Sequence, residues 1–438
     1  MPSKHTDHSS SITLESLYNR LLLFVPWILV LTIIDYRFHH FYWNIPRTYP
    51  SFQFDFWSIL PFYIAVLFLM HLILYQWKKI QQLLSNKKIL ILFILMALGI
   101  IISLLFWTTY PPLLRSWIGT IRINYLEPVV LASLLLISWE TKKRDNLLRS
   151  FFYAISTLGI LCIIQYVLHP FPGAATDFLQ RLVWPYVDPF TLQAESANFL
   201  SYLFAPFLLL SFWYLWLHIQ QKKNYVLELI TSLTSLLVLL LSQSYTGIII
   251  SVLLIFFILI RSPSSKKKYI ALLILIVLCS TIYIGQSTSK KFAILSGKTT
   301  TENSLQRRMT IYSFTLQALK EKWFVGIGPG QYQSYFRLNQ ANILSQPLVE
   351  KELPPHPHNL ILTFWSELGF FGLLMILWIY GLGIWGLFRN PLHGGIIALA
   401  YFLGHGLLDT PYLLEEINVL FWFVVLWSFF SLTKKTAS

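Results

Sequence analysis

Twelve apolar runs, each long enough to cross a bilayer as a helix, follow one another along this chain with polar or charged residues between most of them. They fall at about residues 17–34, 56–77, 89–109, 121–139, 150–168, 197–218, 225–242, 245–260, 269–285, 359–388, 394–408 and 416–433. About 20 helical residues span the hydrocarbon layer, where backbone polar groups must be satisfied within the segment or within a closed barrel. The pattern therefore predicts an all-α, polytopic bundle of twelve membrane helices. Composition points the same way. Of 438 residues, 55% are hydrophobic and only 12% charged, with a mean hydropathy of +0.60, which excludes an ordinary soluble domain.

The net charge of +14 reads as topology rather than as a nucleic-acid surface. Alternate connections carry KKIQQLLSNKK, ETKKRDNLLR, HIQQKKN, RSPSSKKK and FRN, and the sequence closes with TKKTAS. Lys and Arg in short loops are retained in the cytoplasm, so both termini are expected there. The first run passes straight into DYRFHHFYWN with no small-residue cleavage site, and it is expected to be a retained span. Cys162 and Cys279 both lie inside apolar runs, so neither a disulfide framework nor a Cys-based zinc site is expected.

One connection breaks the rhythm. Residues 286–357 hold no spanning run and divide the chain into a bundle of nine spans (1–285), an external loop (286–357) and a bundle of three (358–438). Loops of that length are usually functional or disordered. Order is expected here, because Leu305, Met309, Tyr312, Leu316, Leu319 and Trp323 recur at helical steps within SLQRRMTIYSFTLQALKEKWF. That amphipathic helix should lie on the protein or on the membrane surface. It runs into GIGPGQY, which reads as a sharp turn: a phosphate-binding loop would follow a strand and have other spacing.

Polar side chains at the outer ends of the runs are the candidates for chemistry, because ionisable groups at membrane depth are costly and tend to mark function. His356, His358 and Asn359 stand together in PPHPHNLILTFWSELGF. Histidine accepts a proton near neutral pH, whereas Asn359 reads as a helix cap. The His-x-His pair lacks a third or fourth ligand at a recognisable spacing, so no metal is expected. Asp409 ends the eleventh run in GHGLLDTPY, one helical turn after His405. Arg115 and Arg122 share a face near the outer end of the fourth run, followed by Glu127. Arg122 and Glu127 are readable either as a structural pair or as part of a site.

The ordered series SLQRRMTIY, WFVGIGPGQY, HPHNLILTFWSELGFFGLL and HGLLDTPY, over about residues 304–412, resembles the signature region of the O-antigen ligase and O-antigen polymerase superfamily. The resemblance implies a bacterial inner-membrane enzyme. Such an enzyme moves a glycan from a polyprenyl-diphosphate carrier to an acceptor hydroxyl on a glycan, lipid or protein outside the cytoplasmic membrane, with no cofactor. By position it implies His358 as general base, Asp409 as the acidic residue near the site and Arg308 as a diphosphate ligand. Arg307, Arg122 and Arg181 stand as candidates for a second ligand. Tyr245, in SQSYTG, occupies the place where the superfamily often has an arginine. A polysaccharide polymerase and a protein O-oligosaccharyltransferase are the neighbouring readings. A transporter of lipid-linked or anionic solutes is the rival class, and it would place its polar residues nearer the bilayer midplane.

Overall fold

The computed structural model of the chain describes residues 13–42, 56–75, 77–106, 119–137, 141–168, 198–242, 244–261, 304–345, 348, 353–410 and 415–432. Among these residues every extended regular element is helical. The helices are α1 (Leu14–Tyr42), α2 (Phe56–Tyr75), α3 (Lys78–Leu84), α4 (Lys87–Leu105), α5 (Glu127–Ile137), α6 (Thr141–Leu168) and α7 (Asn198–Gln220). There follow α8 (Val226–Ser242), α9 (Tyr245–Arg261), α10 (Ser304–Glu321), α11 (Tyr332–Ile343), α12 (Leu360–Arg389), α13 (Gly394–Gly406) and α14 (Glu415–Ser431). A π-helical turn, Arg122–Leu126, leads into α5. The predicted runs coincide with helices except 269–285, which lies outside the described residues. Among the described residues, five stretches are long and apolar enough to cross a membrane: Lys87–Leu105, Gly119–Ile137, Asn146–Ile164, Leu200–Gln220 and Leu360–Arg389.

Helix α8 shows which solvent surrounds the bundle. Its Thr231, Ser232, Thr234, Ser235 and Ser242 are buried, while Leu229, Leu233, Leu236, Leu237 and Leu240 are exposed. In water this would be an inside-out helix. In lipid it is the favourable arrangement, because small hydroxyl residues let helices approach while leucines face the acyl chains. Ser232 pairs with Ser211 of α7 at 2.8 Å, and Thr231 with Ser156 of α6 at 2.9 Å.

The tenth predicted run is not one continuous helix. Gly369 interrupts α12 with φ 62° and ψ −147°, a conformation open essentially to glycine alone. Residues eight apart on an unbroken helix are separated by about 12 Å. Here a Cβ added to Gly372 would lie 2.1 Å from the Phe364 carbonyl oxygen, so the chain folds back sharply at the break. The result is a short arm, residues 360–368, joined to a longer helix, residues 370–389.

Breaking a helix strands carbonyls on one side and amides on the other, and the glycine loop after α10 satisfies them. Ile327 and Gly328 donate their amides to the Ser366 carbonyl at 2.6 and 3.0 Å, and the Phe370 amide donates to the Phe324 carbonyl at 2.9 Å. The Trp365 indole donates to the Trp323 carbonyl at 2.8 Å. GIGPGQY is therefore a turn, as expected, and also a backbone joint between the segment holding α10 and α11 and the broken helix α12. Gly326, at φ 79°, has no room for a side chain: a Cβ would meet the Ser366 oxygen at 2.7 Å.

Beyond the joint, α10, α11 and the chain that follows build a small core of their own, in which Ile311, Phe314 and Ala318 pack against Tyr332, Tyr335 and Phe336. The amphipathic helix forms where expected, but the predicted stripe divides. Leu319 is buried, whereas Met309, Leu316 and Trp323 are 59%, 47% and 52% exposed. The face turned to the protein is the adjoining one, through Ile311, Phe314, Thr315 and Ala318. Apolar residues lie on both sides of α10, so helical periodicity fits either stripe.

Candidate functional site

Three segments distant in sequence meet at the start of the arm. Asn359 caps it, its side-chain oxygen accepting the Leu362 amide at 3.0 Å, as the sequence suggested. The Asn359 side-chain amide donates to the Leu407 carbonyl at 2.8 Å, and Thr363 pairs with Thr410 at 3.0 Å. These contacts fasten the beginning of α12 to the end of α13.

His358 precedes the cap rather than lying in the helix. Its backbone has φ 52°, the left-handed region that costs a non-glycine residue energy and that histidine visits more readily than most. The strain is held by specific contacts. Tyr312 of α10 donates its hydroxyl to the His358 carbonyl at 2.9 Å, and the His358 amide donates to His356 Nδ1 at 3.2 Å. Thus orientation comes from α10 and from the cap, and the Nδ1 atom of His358 reaches Asp409 Oδ1 at 2.9 Å.

Asp409 is the centre of the cluster. Its Oδ1 also accepts the Thr410 amide at 2.9 Å, and its Oδ2 lies 3.7 Å from Arg308 Nη2. Burial by itself would raise this carboxyl's pKa, but the His358 hydrogen bond and charge, with Arg308 beside it, hold it well below the usual carboxylate range. His356 stacks edge-on against His358 with ring centroids 4.4 Å apart. Burial, with the neighbouring His358 and Arg308 charges, pushes its pKa down to about 3 against the opposing pull of Asp409, so it is neutral at physiological pH. Burial also raises the Tyr312 hydroxyl, which remains a donor.

Behind the cluster lies a second polar layer that sequence reasoning touched only at His405. The Asp409 amide donates to the His405 carbonyl at 3.1 Å. The His405 Nδ1 pairs with the Tyr401 hydroxyl at 2.8 Å, which donates in turn to the Ser201 carbonyl at 2.9 Å. Tyr202 packs its ring 4.3 Å from that of His405. Glu367, on the arm, was missed altogether: it is buried and accepts a hydrogen bond from the Tyr125 hydroxyl. The signal was present, since an acid inside an apolar run is costly enough to merit notice.

The remaining candidates are placed as follows. Arg307 is half-buried beside Arg308 on α10. Arg122 forms an ion pair with Glu127 at 2.9 Å, the structural arrangement that the sequence allowed. Tyr245 is the first residue of α9, and its side chain lies outside what is described, as do Arg115 and Arg181.

The metal ligand that the sequence could not supply at a recognisable spacing is Asp409. It offers, with His356 and His358, three potential ligand atoms within 4.8 Å of one another. Zinc sites of three protein ligands exist. Against a cation here stands the guanidinium of Arg308, 3.7 Å from the carboxylate.

With this geometry in place, comparison with known proteins finds that residues 230–377 match the model of a family described as O-antigen ligase. The match covers about a third of the chain and takes in α8, α9, α10, both site histidines and the arm, and it ends before Asp409. No curated protein matches the chain.

Proposed function

We propose that this chain, whose matched segment supports membership of the O-antigen ligase family, moves a glycan from a polyprenyl-diphosphate donor to an acceptor hydroxyl at the outer face of the bacterial cytoplasmic membrane. The observation that carries the reading is the 2.9 Å contact between His358 Nδ1 and Asp409 Oδ1. A carboxylate on Nδ1 fixes the tautomer and leaves Nε2 as the basic nitrogen, the same division of labour as in a Ser-His-Asp triad. The acceptor hydroxyl attacks the anomeric carbon as its proton passes to His358 Nε2. The bond between that carbon and the diphosphate oxygen breaks, and the diphosphate leaves on its lipid.

Asp409 balances the imidazolium that forms. Arg308 meets the charge growing on the leaving group, where a guanidinium can engage two oxygens at once, and Arg307 adjoins it. His358, 28% exposed at its side chain against 11% for Asp409, remains reachable. No step needs a metal, because histidine and arginine together handle the proton and the charge. Both termini are assigned to the cytoplasm, with α10 and the site outside.

The test is glycan transfer in proteoliposomes by folded variants. His358→Ala is expected to lower the rate on the order of 10²–10⁴-fold, as loss of general base catalysis does, with His356→Ala milder. Near-normal transfer by folded His358→Ala would refute the mechanism. Loss of activity in chelator, restored by a divalent ion, would replace it with a metal-dependent one.

A further inference from the structure

An apolar cavity of about 210 Å³ opens between α2, α3, α4 and α5. Phe68, Leu83 and Met96 form three of its walls, and the π-helical turn and α5 supply the fourth, with Leu126 from the turn and Val130, Ser133 and Ile137 from α5. The eleven-residue step from Leu126 to Ile137 makes the groove about 17 Å long at 1.5 Å per helical residue. That is close to half of the roughly 30 Å hydrocarbon layer, the depth of a single leaflet. Leu84 and Leu126, at 36% and 47% exposure, leave it open to the surroundings.

Basic and aromatic residues open the helix that forms one of its walls. The short helix α3 buries Leu83 and begins with Lys78 and Lys79, and before it stands Trp77, 52% exposed and held at φ 65°. The Trp77 ring meets Phe68 edge-on at 6.2 Å, so an interfacial tryptophan adjoins the cavity wall. Lys88 of α4 is turned elsewhere, with its ammonium 3.4 Å from the Leu432 carbonyl and over the Trp385 ring, while Lys78 and Lys79 stand at the start of α3.

We propose that this groove binds one anionic phospholipid of the cytoplasmic leaflet, with an acyl chain along α5 and the phosphate at Lys78 and Lys79. Apolar length alone would accept any lipid. The lysines select the charge, since each basic residue near an anionic surface contributes roughly fivefold in affinity. The site is independent of the transfer chemistry and takes from it only the orientation of the loops.

Native mass spectrometry of the purified full-length chain, with dioleoyl phosphatidylglycerol or dioleoyl phosphatidylcholine added to the detergent, tests it. About one phosphatidylglycerol per chain should be retained at concentrations where phosphatidylcholine is not. The double variant Lys78→Gln/Lys79→Gln should weaken that retention on the order of tenfold or more, and Ser133→Phe, which fills the groove, should remove it. Equal retention of the two lipids by the parent, or undiminished phosphatidylglycerol in the lysine variant, overturns the proposal. Should Ser133→Phe fail to fold, the lysine variant decides alone.

Discussion

The cluster at the arm and the seam that α8 forms with α6 and α7 are both polar regions inside one apolar bundle, and they hold their polar groups differently. At the seam, Thr234 donates back to the Ile230 carbonyl of its own helix at 2.8 Å. At the arm, His358, Asp409 and Arg308 complete one another from three separate segments. A group that is locally satisfied can be lost without stranding a partner. A charge held by distant neighbours cannot, because each removal leaves another buried charge uncompensated. The seam thus holds helices together, whereas the cluster stores a specific electrostatic arrangement.

Asp409→Asn should show the difference most strongly. It keeps the shape and removes the charge that fixes the His358 tautomer, so transfer should fall on the order of 10²–10⁴-fold while the donor still binds. Rates within a few-fold of the parent would make the cluster a fastening like the seam. Arg308→Lys comes next: it retains the charge and loses the planar fork, and turnover should drop about tenfold, less than for Arg308→Ala. Equality of the two variants would mean that the fork is not used.

A smaller effect is expected from pH. His356 has a folded-state pKa near 3 against an ordinary value near 6.5, so the unfolded chain binds the proton first. Stability from this residue is present above about pH 6.5 and is lost as pH falls towards 3. Thermal unfolding in detergent should therefore shift downward between pH 7 and pH 5, and the shift should shrink in His356→Asn. Asp409, depressed below its ordinary value, adds its loss only below about pH 4. Smallest of all, Thr234→Val at the seam should change stability by about 0.5 kcal/mol and leave transfer intact, as typical membrane hydroxyl bonds do. A large loss there would erase the distinction between the two regions.

Much of the helical framework was legible because twenty apolar residues in a row have few other ways to satisfy their backbone. His358 and Asp409 were legible only as polar residues at the ends of two neighbouring runs, not as a pair in contact. The break at Gly369 was hidden within LGFFGLL, where glycine among apolar residues looks like an ordinary member of a span. What makes it a break is a partner forty residues earlier in the chain, the Phe324 to Gly328 backbone, and no local pattern announces a partner. Likewise the side of α10 that faces the protein depended on where Phe336 would arrive, with its ring 4.1 Å from that of Phe314.

The joint at Gly369 also bears on how such a sequence can diverge. Its hydrogen bonds run from main chain to main chain, so substitutions of Phe324, Ile327, Ser366 or Phe370 leave donor and acceptor in place. The fit is specified by where side chains are missing. The hydrogen bonds themselves tolerate exchange of the aromatic and aliphatic side chains but not of the glycines at 326 and 369, so the constraint is a spacing of absences. Two descendants could share almost no side chains around this joint and still set the same histidine in the same place.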